Sequence, residues 1–134
     1  MDTETKIYVN NDLDIVMTRM QVRDMAKKMG FGTADQARIS LAASELARVL
    51  SWGVIHGPSE MVISNTARNG HQGLQVVCLV QREHIPEGEA TNGVDTKPIP
   101  QRSFVGACKL VDESSIEIQD DWQARVTLIK WLKS

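Results

Sequence analysis

An α+β two-layer sandwich, with helices on one face of a mixed, mostly antiparallel sheet, is the fold class that this sequence predicts. Three observations carry it. A single strand-like run opens the chain, two long runs of helical period follow, and two strand pairs marked by turn residues complete it. With 134 residues, the whole chain, 1–134, is read as one domain large enough to bury a core without staples.

"KIYVN" at 6–10 has strand propensity and stops at the Asn10-Asn11-Asp12 turn signal. From about Leu13 to Met29 the apolar residues recur with helical period, in two sets. Leu13, Val16, Met17 and Met20 form one; Val22, Met25, Ala26 and Met29 form the other, nearly opposite on the helix. One set faces the core. The other is left for a partner, unless the domain covers the helix on both sides. Four of the six methionines, Met17, Met20, Met25 and Met29, lie here, and their flexible thioethers suit an adaptable partner surface. "GFG" at 30–32 ends the helix, and Thr33 with Gln36 reads as a capping box for the next. That helix runs to about Trp52, with Ile39, Ala42, Ala43, Leu46, Val49, Leu50 and Gly53 as its apolar stripe.

"MVISNT" at 61–66 and "LQVVCLV" at 74–80 flank the turn "RNGHQG" and predict a hairpin whose second strand is central. Residues 81–103 hold three of the four prolines and read as a variable loop. A short apolar helix over about 104–111 and a hairpin of "SIEIQ" and "ARVTLIKWL" around "DDWQ" complete the chain.

Composition narrows the function classes. The net charge of −2 provides no field for nucleic acid. No run of eighteen apolar residues suggests a membrane span, and the polar start "MDTETKIYVNND" is unlike a secretory signal, so a cytoplasmic protein is expected. Cys78 and Cys108 read as reduced, buried thiols rather than a disulfide or metal pair, and His56, His71 and His84 share no ligand spacing.

The run "DIVMTRMQVRDMAKKMGFGTADQARISLAASELAR" at 14–48 resembles the start of the RsbT-like switch kinases, which are bacterial serine kinases and anti-sigma regulators of the histidine-kinase-like ATPase superfamily. "KLVDESSIEI" and "VTLIKWLK" look like the end of the same domain. The resemblance implies the Bergerat form of the two-layer sandwich. It also implies ATP with Mg²⁺ as the family's ligands, a STAS-domain phosphoacceptor of the anti-sigma-antagonist type, and a phosphatase switched on by contact.

Set against the three boxes through which such proteins handle ATP, this chain departs at each. In the helix box, a glutamate serves as general base and an asparagine four residues later helps to hold Mg²⁺. Here Glu45 stands in place, but the asparagine position is Val49, which has no oxygen to offer a cation. In the first glycine box an aspartate binds the adenine amino group. "VCLVQREHIPE" at 77–87 has Val80 in its place, and Arg82 and His84 where the glycines belong. In the second box, "IPQRSFVGACKLVDE" at 99–113 retains only Gly106, past the point where amides would cradle phosphates.

Glu45 is therefore expected to be a relic base that pairs with Arg48 or Arg38, with neither a catalytic nor a nucleotide-binding residue and no cofactor or metal. The leading reading is a pseudokinase that binds a STAS-domain protein or a phosphatase regulator, with a homodimer left open. The alternative is an active ATP-dependent serine kinase of the RsbT type that phosphorylates a STAS-domain protein through an unorthodox pocket using Arg82 or Arg102. In a third reading the vacated cleft senses another small molecule, against which the apolar Val49, Val80 and Phe104 favour collapse.

Overall fold

The computed structural model describes residues 4–9, 11–51, 59–81, 104–120 and 123–133. The elements run β1 (Glu4–Val9), α1 (Asp12–Met29), α2 (Thr33–Ser51), β2 (Ser59–Arg68), β3 (His71–Gln81), α3 (Val105–Cys108), β4 (Glu113–Asp120) and β5 (Gln123–Trp131). The strands form one sheet in the order β1-β2-β3-β5-β4. Among the described residues every pairing is antiparallel, where a mixed sheet was expected. The reason is which strand of the last hairpin docks. β5 lies against β3 and leaves β4 at the edge, whereas docking through β4 would have made a parallel pair.

Local chemistry sets the helix ends. Asn11 caps α1: its side chain accepts from the Asp14 amide at 3.1 Å, and Asp14 accepts from the Asn11 amide at 3.2 Å. At the other end Gly30 takes φ +96°, and the Phe31 and Gly30 amides donate to Ala26 and Lys27, a Schellman closure that places Phe31 in the core. The expected Thr33–Gln36 box does not form. Thr33 is already helical, so its hydroxyl cannot take the place of an extended cap, and the Gln36 side chain instead donates to the Phe31 carbonyl at 2.8 Å.

The β2–β3 hairpin turns on two residues, Asn69 and Gly70, with φ +52° and +81°, rather than on the six expected. Paired positive φ values of this kind match the twist of the flanking strands, which therefore pair up to Arg68 and His71. The short helix predicted over 104–111 is a single turn.

Alternation along the strands decides the core. Ile7, Met61, Cys78, Val126 and Ile116 form one cross-strand row beneath the helices, and Ile63, Val76 and Leu128 lie in the next. Val22, Met25 and Ala26 of α1 and Ile39, Ala42, Ala43 and Leu46 of α2 pack into the same core. Burying each large side chain contributes roughly 1.5–3 kcal/mol. Small polar residues let the two helices approach: Ser44 bonds back to the Leu41 carbonyl and accepts from Arg19.

Candidate functional site

Glu45 sits on α2, partly exposed, with Oε1 3.3 Å from Arg48 Nη1. Arg38, the other partner considered, instead donates to Asp35 at 3.0 Å. One turn beyond Glu45 is Val49, whose side chain lies outside the described residues, as do the Val80 side chain and all of Arg82 and His84. Gly106 is described. It is exposed within the four-residue α3, and a Cβ built on it meets open space. Phe104, just before it, is fully buried in the core. Among the described residues, no group of three or more His, Cys, Asp or Glu could hold a metal ion.

The thiols sit apart in chemistry. Cys78 is fully buried and desolvation pushes its pKa far up, while Cys108 is partly buried; both are free. His71 is exposed at the start of β3; His56 and His84 lie outside the described residues.

Two polar clusters, neither foreseen from sequence, tie the ends of the sheet. Lys130, on the helix side of β5 with its side chain 6% exposed, reaches Asp112 at 3.1 Å and Asp35 at 3.6 Å. Burial pushes the Asp35 carboxyl up. The Arg38 hydrogen bond and the charges of Lys130, Lys133 and Arg38 outweigh it and hold the pKa below 3.8. On the open face, Arg68 straddles both carboxylate oxygens of Glu113 at 2.8 and 2.9 Å and lies 5.0 Å from the centre of the Trp131 ring, whose Nε1 also donates to Glu113. The Arg68 and Trp131 hydrogen bonds hold Glu113 below the ordinary carboxylate value. The alternation in "VTLIKWL" puts position 130 on the core side, a signal that could have exposed Lys130 as a buried charge needing partners.

The two apolar sets of α1 part as the helical period requires. Val22, Met25 and Ala26 face the core, and Met29 is half-buried against it. Leu13 (67%), Val16, Met17 and Met20 (62%) are exposed. Met25 therefore leaves the expected partner surface, because its side chain fills the interior. Met20, Met25 and Met29 also line a groove of about 1140 Å³, shared with Thr5 of β1, Asn65 of β2 and Gln72 of β3.

Among the described residues no helix is long and apolar enough to cross a membrane. No protein-family profile matches the chain. It is 32% identical to the serine/threonine-protein kinase RsbT of Bacillus subtilis (strain 168), over 99% of this chain and 100% of that protein.

Proposed function

Because the chain belongs to the RsbT-like family of partner-switching regulators, we propose that it is a family member without ATP binding, which works by gripping a protein partner. The observation that carries this reading is Val49, one helical turn from Glu45. Its side chain offers no oxygen where Mg²⁺ would need one, and phosphoryl transfer depends on that cation. The engagement of Glu45 with Arg48 supports it. The partner is a STAS-domain protein, or a phosphatase regulator that contact would activate. The role is cytoplasmic and requires neither nucleotide nor metal.

The experiment is calorimetric titration of ATP with Mg²⁺ into the full chain, alongside thermal melts with and without a STAS-domain protein. Nucleotide at 100 times its dissociation constant would stabilise the fold by about 2.7 kcal/mol. The expected result is no heat and no shift with nucleotide, and a shift with the STAS-domain protein. Micromolar ATP binding would overturn the reading. The second reading, an active serine kinase on a STAS-domain substrate, is favoured by the full-length similarity to a serine/threonine-protein kinase. Transfer of labelled phosphate to a serine of that substrate would establish it.

A further inference from the structure

We infer that the outward face of α1 is a docking surface for an acidic, amphipathic segment of a partner protein, and that it reads the segment's direction. The inference rests on the partner-binding role proposed above.

The outward face changes chemistry halfway along the helix. Its first half carries Leu13, Val16, Met17 and Met20, all exposed. Its second half carries Arg23, Asp24, Lys27 and Lys28, also exposed and on the same side by helical period. Asp24 is already spent on Lys28 at 2.9 Å. Among the described residues Arg23 and Lys27 have no ion-pair partner, so the second half presents two uncompensated cations. The groove lined by Met20, Met25 and Met29 begins where the apolar half ends and passes beside Arg23, Lys27 and Lys28.

A solvated helix needs no apolar stripe on its outer side, and this one bears four large apolar residues in succession. Their exposure favours an apolar occupant, and the unmatched cations specify an acidic one beside it. A second copy of this chain fits poorly, because it brings the same excess of cations to the contact. The occupant that satisfies both halves has apolar residues at one end and carboxylates at the other. Flexible Met17 and Met20 can adapt to its side chains.

The test uses the isotope-labelled full chain and a synthetic amphipathic peptide, leucine-rich in one half and glutamate-rich in the other. Amide shifts should concentrate between residues 13 and 28. R23E with K27E, both exposed and so harmless to the fold in a thermal melt, should weaken binding about tenfold. A peptide with lysines for its glutamates should bind the double variant better than the wild type. Absence of binding, shifts elsewhere, or indifference to charge reversal would overturn the inference. So would self-association through these residues, or binding to phosphatidylglycerol vesicles but not to the peptide. If a STAS-domain protein binds the wild type and the double variant equally, this surface falls and the partner-binding role stands. If the peptide binds with the expected charge dependence while neither a STAS-domain protein nor a phosphatase regulator binds, the role falls and the surface stands.

Discussion

Lys130 Nζ lies 3.1 Å from Asp112 Oδ1, and the lysine side chain is almost wholly enclosed between the sheet and the start of α2. Asp112 also accepts the Trp131 backbone amide at 2.7 Å through its second oxygen. One carboxylate thus fixes both the buried cation and the end of β5. Removing it leaves Lys130 with only the longer contact to Asp35 and the Trp131 amide without this acceptor. Asp112→Ala is expected to cost about 2–4 kcal/mol in urea unfolding. Lys130→Met should cost less, since a thioether fills the same space and the two aspartates retain Arg38, the Trp131 amide and water as partners. The reverse order would show that the lysine's charge, through Asp35 and Asp112 together, contributes more than Asp112 does alone.

Asp35 makes stability depend on acid pH. Its folded pKa lies below the ordinary 3.8, so between the two values the unfolded chain binds more protons. This contribution is full above the unfolded pKa and is lost as pH falls through 3.8 toward the folded value. Urea midpoints measured from pH 6 down to about pH 3 should fall at the acid end. Asp35→Asn should flatten that fall, apart from the share belonging to Glu113, which shifts in the same direction.

Gly73 lies directly opposite Trp131 in the β3–β5 ladder. A Cβ there would stand 2.8 Å from the indole ring and 3.0 Å from the Lys130 carbonyl oxygen. The ring can swing away, at the expense of its contacts with Arg68 and Glu113; the carbonyl belongs to the ladder and cannot. Gly73→Ala should therefore lower stability by about 1–3 kcal/mol, and its cost should shrink but persist in a Trp131→Ala background. Equal cost in both backgrounds would assign the whole penalty to the backbone.

Asn11 and Asp14 close the start of α1 reciprocally, next to the apolar face proposed to dock a partner. Asn11→Ala should cost about 1 kcal/mol. It should also raise amide exchange in the first turn, around Asp12–Ile15, while leaving the turn at Gly30 protected. Uniformly raised exchange along the helix would mean that packing, not the cap, holds this end.

Much of the fold was legible because it rests on local rules. Period 3.6 over 13–52 and period 2 in "MVISNT", "LQVVCLV" and "ARVTLIKWL" specify helices and strands through burial on one side. "NG" specifies a turn through its backbone freedom, and the turn is two residues long where six were expected. That Val49 follows Glu45 by one helical turn was legible too, since residue identity and helical period give it directly. What sequence left open was which face of α1 turns inward, because both faces are apolar and only the sheet and α2 decide between them. The antiparallel course of the sheet depended likewise on β5, not β4, docking on β3. The partners of Lys130 were beyond local reading for the same reason: Asp35 and Asp112 lie far from each other in the chain, and only packing α2 against the end of the sheet brings their charges to one buried cation.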